Sequence, residues 1–199
     1  MASLVESLMQ QLESRGTVDQ IAGRLGVPSG AANSAVSAAL PAILAGLAKN
    51  TQHPDGAAAL ATALDKDHDG SALAGDEYLE PDSAQQGEKI LGHVFGNQSS
   101  AVASQVSALG GLSGGQGADV LKMLAPLVMG YLGKEKSAGG LDASALAKLL
   151  AGGTGGMNLP GGLGDLLAGL GGASSSSASG TQSKSPGLGG ILGKLFKKK

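Results

Sequence analysis

VDQIAGRLGVPSGAANSAVSAALPAILAGLAK, residues 18–49, is the stretch that decides the fold, because its apolar residues recur at helical spacing on both sides of one turn. It predicts a short helix that stops at Gly26 and a turn in which Ser29 caps the next helix. A long helix is expected over residues 31–49. Pro41 lies inside it, where we expect a kink or the loss of one backbone hydrogen bond.

The same pattern returns about 85 residues later in VASQVSALGGLSGGQGADVLKMLAPLVMGYLGK, residues 102–134. Two helices of similar Ala/Leu composition would explain part of this likeness, but the matched prolines favour an internal duplication of a helical hairpin. We therefore expect an all-α fold, a small helical bundle with two similar helical-hairpin units whose long helices pack together. The sequence alignment, with one residue slipped between turn and proline, pairs Leu25/Leu109, Gly26/Gly110, Ser29/Ser113, Gly30/Gly114, Pro41/Pro126, Leu47/Leu132 and Lys49/Lys134.

Shorter helical patterns flank the two units. Beyond residue 150 the chain becomes rich in glycine and then in serine, a composition typical of flexible linkers. Helices are predicted from Ser3 to Gly16, over 87–96 and over 141–150, with an acidic connector over 50–88. The predicted organisation is a helical domain over 1–150, a flexible Gly/Ser-rich linker over 151–187 and a basic amphipathic tail over 188–199.

The composition argues against several classes of protein. The chain has no cysteine, so it can form no disulfide, zinc–thiolate site or cysteine nucleophile. Aromatic residues make up only 2% of the chain, which leaves few platforms for stacking bases, and no nucleic-acid partner is expected. The first eleven residues lack the pattern of a signal peptide, and no run of eighteen apolar residues is present. We expect a cytoplasmic protein, with peripheral attachment at the inner membrane as an option.

The end of the chain has its own charge and pattern. Residues 184–199 hold five lysines and no acid, whereas the rest of the chain holds nine basic and sixteen acidic residues. Apolar residues at i, i+3, i+4, i+7 and i+8 would form one stripe on a helix, which indicates an interfacial helix for an anionic membrane surface or a protein partner. The alternative is a frayed, solubilising tail. The predicted contact residues are Leu188, Ile191, Leu192, Lys194, Leu195, Phe196, Lys197 and Lys198.

The sharpest local motif is an acidic stretch within the connector. Its spacing converges carboxylates on one point, as calcium requires. Position 12 of the loop holds aspartate instead of the usual bidentate glutamate, so an acidic surface turn at a helix N-terminus is the open alternative. The candidate calcium ligands are Asp65, Asp67, Asp69, Ser71 and Asp76, at loop positions 1, 3, 5, 7 and 12, with Gly70 at position 6, where the chain must turn.

Four segments occur in one order along the chain: the leucine-rich first helix, DHDGS (67–71), KILGHVFG (89–96) and LAPLVMG (124–130). Together they resemble the bacterial YidB-like family, domain of unknown function 937. The resemblance covers roughly residues 1–150. It implies an all-α fold and no known reaction, so no catalytic or cofactor-binding residue is predicted from it.

The favoured hypothesis is a non-enzymatic interaction or scaffold protein whose helical body is tethered to the tail. Self-association through its Ala-rich helices is expected. The second hypothesis is a calcium-responsive binding module that uses the acidic loop 65–77. An enzyme is the weakest hypothesis, because no nucleophile–base pair is recognisable in the sequence. His93, on an apolar helix beside Phe95, is better explained as a packed or half-exposed histidine than as a general base.

Overall fold

The computed structural model describes residues 4–67 and 81–154, and this part of the chain is helical without a strand. The predicted all-α fold is therefore confirmed. The helices are α1 (Leu4–Ser14), α2 (Thr17–Leu25), α3 (Ser29–Asn50), α4 (Pro54–Asp67), α5 (Pro81–Phe95), α6 (Ser99–Gly110), α7 (Gln116–Gly139) and α8 (Ala143–Thr154), with a short 3-10 helix (Gly96–Gln98) between α5 and α6.

The two long helices, α3 and α7, contact each other at the centre of the bundle, as the duplication predicts. α2, α6 and α8 pack on α3, while α5 and α6 pack on α7. By length and composition alone α3 could cross a membrane, since its most apolar window has a mean hydropathy of 1.5, but 67% of that window is buried inside the protein. Helices that are apolar on all sides are typical of a core position.

Each long helix continues through its internal proline, Pro41 in α3 and Pro126 in α7. Both prolines are buried among apolar side chains. Since proline has no N–H group, each helix lacks one backbone hydrogen bond at this point. The surrounding core therefore holds each helix together across its proline.

The duplication has a simpler register than the sequence alignment predicts. Gly26 and Gly111 both adopt left-handed backbone, with φ of 64° and 63°, and both end a short helix. Gly111 is therefore the counterpart of Gly26, because Gly110 still belongs to α6. The two units are offset by 85 residues both at these glycines and at the prolines Pro41 and Pro126. The one-residue slip predicted between the turn and the proline is therefore wrong. The predicted pairs Leu25/Leu109, Ser29/Ser113 and Gly30/Gly114 shift by one residue for the same reason. Buried positions follow this offset, as in Ile21/Val106, Ala35/Val120, Val36/Leu121, Ala39/Leu124, Ile43/Val128 and Leu47/Leu132.

Helix boundaries differ from the prediction at Ser29 and at the start of α5. Ser29 is the first residue of α3, and Pro28 holds the cap position with extended backbone and no side-chain hydrogen bond. The predicted serine cap is therefore wrong by one residue. α5 begins at Pro81 instead of residue 87, because proline suits the first position of a helix.

α4 lies where the sequence analysis predicts only an acidic connector, so that prediction is wrong over residues 54–67. Its alanines are strong helix formers. Leu60 and Leu64, four residues apart, share one face and are buried in the core. The acidic residues near both ends conceal this apolar face in the sequence.

α8 follows the long helix α7 in the chain as α4 follows the long helix α3. Leu146 and Leu150 are buried with the same four-residue spacing as the two leucines of α4, and α4 and α8 contact each other. Asp142 caps α8, since its Oδ1 atom accepts a hydrogen bond of 2.7 Å from the Ala145 N–H. The described chain therefore ends on a helix that packs beside α4.

Candidate functional site

A groove with a volume of about 790 Å³ lies between α4 and α5. Ligand pockets in proteins have volumes of about 300–1,000 Å³, so the groove is large enough for a sizeable ligand. Its floor is apolar and largely buried, formed by Leu47, Leu60, Ile90, Val94 and Met129. Its rim is polar, formed by Asn50, His53, Gln86, Lys89 and His93, and small residues of α4 complete one wall, namely Gly56, Ala59 and Ala63.

Each wall of the groove is one face of a single helix. On α4 the lining extends from Gly56 to Ala63, and on α5 from Gln86 to Val94. These stretches rise about 10.5 Å and about 12 Å, at 1.5 Å per residue. The two walls are therefore similar in length.

The end of the groove near the two histidines is fixed by contacts between α3 and α5. The Asn50 side-chain amide donates a hydrogen bond of 3.0 Å to the His93 carbonyl oxygen. Gly46 of α3 lies under α5, and a Cβ atom there would come within 2.9 Å of the Phe95 ring. This glycine allows the close approach that places α5 over the end of α3.

α5 is also held against α7. Lys122 of α7 forms an ion pair of 3.3 Å with Glu88 of α5. Both side chains are partly exposed, so the pair contributes on the order of 0–1 kcal/mol. Burial of Leu91 and Val94 in the core contributes more than this ion pair to holding α5 in place.

The groove is suited to contact with an apolar partner. Its floor offers buried aliphatic side chains, and its rim offers hydrogen-bonding groups that fix orientation. Both rim histidines, His53 and His93, are exposed. Among residues 4–67 and 81–154, no group of three or more His, Cys, Asp or Glu side chains could hold a metal ion.

The structure places only part of the predicted calcium motif. Asp65 lies on α4, and its carboxylate pairs with the ammonium group of Lys136 on α7. α4 extends to Asp67, whose side chain is not described. Asp69, Ser71 and Asp76 lie outside the described residues. Calcium binding by this motif stays a prediction.

The predicted tail contacts, over 188–199, also lie outside the described residues, as does most of the predicted linker. Membrane or partner binding through this segment stays a prediction as well.

The groove is not evident from the sequence, because the helical character of α4 is not evident there either. The sequence feature that could have indicated the groove is the pair of small side chains Ala59 and Ala63. Both lie on the groove face of α4 and are exposed or half-buried. In the sequence these alanines look like ordinary helix formers. Their role depends on α5, which follows α4 in the chain but packs on α3 and α7.

A second, much smaller cavity lies between α1 and α7. Its volume of about 10 Å³ has room for about one water molecule. Leu8, Leu12 and Tyr131 line it. Burial and the nearby carboxylate of Glu135 raise the pKa of Tyr131, and a side-chain hydrogen bond with Ser7 opposes them. This cavity is a packing defect beside a buried tyrosine.

The fold and groove define an all-helical, internally duplicated protein with an open apolar groove. Residues 6–135 match the family model described as bacterial protein of unknown function (DUF937), and the chain belongs to this family. The resemblance found in the sequence is thereby confirmed. No curated protein and no solved structure matches the chain.

Proposed function

We propose that this chain is a non-enzymatic interaction protein that docks on an anionic membrane surface through its C-terminal segment, residues 188–199. The observation that carries the proposal is the complete apolar stripe of this segment, from Leu188 to Phe196, combined with Lys194 and Lys197, which face away from it on a helix. This combination is typical of basic amphipathic helices that lie in a membrane interface.

The architecture of the helical body supports a docking role for the tail. α3 is the most membrane-like helix of the described chain, yet it is mostly buried in the core. Its apolar surface is therefore already used for folding. The segment 188–199 would supply an apolar surface of its own.

The expected affinity of the tail is modest and reversible. Each lysine near an anionic surface contributes on the order of 1 kcal/mol. Gly189, Gly190 and Gly193 lower the stability of the helix in water, so the segment is expected to fold as it binds. An anchor of this kind responds to salt and to lipid charge.

Flotation with lipid vesicles tests the proposal. The full chain is expected to float with vesicles of anionic phosphatidylglycerol but not with neutral phosphatidylcholine, and deletion of 188–199 is expected to abolish flotation. The paired variant Lys194→Gln with Lys197→Gln should weaken binding and its salt dependence. Lys148→Gln with Lys134→Gln is the matched control, because these lysines are exposed on the helical body. Flotation that survives the deletion contradicts the proposal, as does the failure of both the full chain and the isolated peptide 188–199 to bind anionic vesicles.

A further inference from the structure

We propose that the groove between α4 and α5 is the docking site of the chain's own C-terminal segment, residues 188–199. The segment would lie in the groove as a helix, with its apolar stripe against the apolar floor, in the manner of other helix-in-groove complexes. Because one stripe cannot contact the groove and a membrane at once, the groove would hold the segment away from the membrane. This inference goes beyond the proposed membrane docking.

The dimensions of the two surfaces agree. The stripe extends from Leu188 to Phe196, which is about 12 Å along a helix axis. The walls of the groove extend about 10.5 Å on α4, over 56–63, and about 12 Å on α5, over 86–94. The small side chains of the α4 wall let a docked helix come close to the α4 backbone.

The point where the described chain ends favours this docking. Thr154 ends α8, and α8 packs against α4, which forms one wall of the groove. Residues 155–187, a stretch of 33 residues, join this point to the segment. A linker of that length with the behaviour expected from a Gly/Ser-rich composition would span about 30 Å on average, whereas α4 is about 21 Å long. The segment can therefore reach the groove, at an effective concentration on the order of millimolar.

The charges of the body and the segment are complementary. Outside its last sixteen residues the chain carries nine basic and sixteen acidic residues, whereas those sixteen residues carry five lysines and no acid. Two exposed acids flank the groove walls, Asp55 beside Gly56 and Asp82 one turn before Gln86. Such a distribution steers a basic segment toward the body.

The rim also favours one orientation of the docked helix. Lys89 lines the groove and would repel a lysine placed beside it. Lys194 and Lys197 face away from the stripe on a helix, so with the stripe against the floor they point to solvent. The orientation that buries the apolar residues therefore also keeps these two lysines away from Lys89.

A single tryptophan can report the docking. The chain has no tryptophan, so Phe196→Trp introduces one fluorophore into the stripe with little change in character. In the full chain, without lipid, we expect blue-shifted emission and several-fold weaker acrylamide quenching than in the isolated peptide 188–199 with the same substitution. Emission and quenching equal to those of the free peptide would overturn the proposal.

Two α4 variants distinguish docking in the groove from nonspecific binding of the segment to the body. Ala59→Arg with Ala63→Arg fills the groove wall with charge, and in the Phe196→Trp chain it should raise acrylamide quenching to the level of the free peptide. Ala58→Arg with Thr62→Arg is the matched control, because both residues are exposed on α4 outside the groove, and it should leave the quenching low. Circular dichroism verifies that both variants stay helical. Equal effects of the two variants would overturn the proposal.

Two further measurements show whether the docked segment comes from the same chain or from a second copy. Protection of the tryptophan that is independent of concentration in a monomer supports docking within one chain. Protection that grows with concentration, together with dimers in sedimentation, would overturn this assignment in favour of a second copy. In flotation, the groove variant should bind anionic vesicles more tightly than the control variant. If the groove variant, in which the segment is released, also fails to bind anionic vesicles while the tryptophan of the Phe196→Trp chain stays protected, the membrane proposal is contradicted and docking in the groove stays supported.

Discussion

Gly87 of α5 lies directly against the backbone of Lys122 in α7, and a Cβ atom at residue 87 would come within 2.7 Å of the Lys122 carbonyl carbon. A backbone atom cannot rotate out of the way as a flexible side chain can. Any side chain at residue 87 must therefore separate the two helices. This contact positions α5, and with it one wall of the groove.

Gly87→Ala is expected to lower the free energy of unfolding by about 1–3 kcal/mol, because the added methyl group overpacks the α5–α7 contact. Gly92→Ala is the control on the same helix, since a Cβ atom at Gly92 would meet nothing within 4 Å. There we expect a gain of about 0.5–1 kcal/mol from the lower flexibility of the unfolded chain. Urea unfolding of the full chain, followed by circular dichroism, measures both. Similar effects at the two positions would contradict the close contact.

The glycines that end α2 and α6 give a second prediction. Gly26→Ala and Gly111→Ala should each cost roughly 1–2 kcal/mol, because both residues have left-handed backbone and a Cβ atom is strained there whatever the space around it. Gly23→Ala is the control, since Gly23 lies within α2 with open space around it. Thermal or urea unfolding compares the three variants. A loss at Gly26 without one at Gly111 would argue against the equivalence of the two units.

The sequence predicts the elements whose signals are local. α2 and α3 follow from apolar spacing that is interrupted by Gly26 and Pro28, and the repeat of this pattern predicts α6 and α7. The register of the repeat could not be predicted, since Gly110 and Gly111 stand side by side. Only the backbone conformation shows which of them ends the helix.

The groove could not be predicted because it depends on contacts between distant parts of the chain. Asn50 and His93, which fix one end of it, are 43 residues apart, and Met129 in the floor comes from a third region. No periodicity links these positions. The acidic residues around α4 also conceal the helix that forms the other wall.

Tyr131 gives a prediction for alkaline pH. Burial and Glu135 raise the pKa of this phenol above its ordinary value of 10.0. Above that value the unfolded chain loses the proton while the folded chain keeps it, so the unfolded state is favoured as pH rises through the folded pKa. Tyr131→Phe should therefore show a smaller loss of unfolding free energy between about pH 9 and about pH 11 than the unmodified chain. Identical pH profiles for Tyr131→Phe and the unmodified chain would contradict the prediction.

The calcium hypothesis for the acidic stretch 65–76 has a direct test at Lys136. The ammonium group of Lys136 pairs with Asp65, the first candidate ligand, and the Lys136 side chain is only 14% exposed. A calcium ion that uses the Asp65 carboxylate must therefore compete with a fixed positive charge. If the stretch binds calcium, isothermal titration of the full chain should show saturable binding with a Kd on the order of 10⁻⁴–10⁻³ M.

Under this hypothesis Lys136→Met should tighten calcium binding, because it releases Asp65 and removes the competing charge, whereas Asp69→Asn should weaken it. Lys134→Met is the control for the loss of a charge from α7, since Lys134 is exposed on the same helix and does not pair with Asp65. A flat titration for both the unmodified chain and Lys136→Met would contradict the hypothesis. In that case the pairing with Lys136 would explain Asp65 as a structural residue that joins α4 to α7 at the far end of the groove wall.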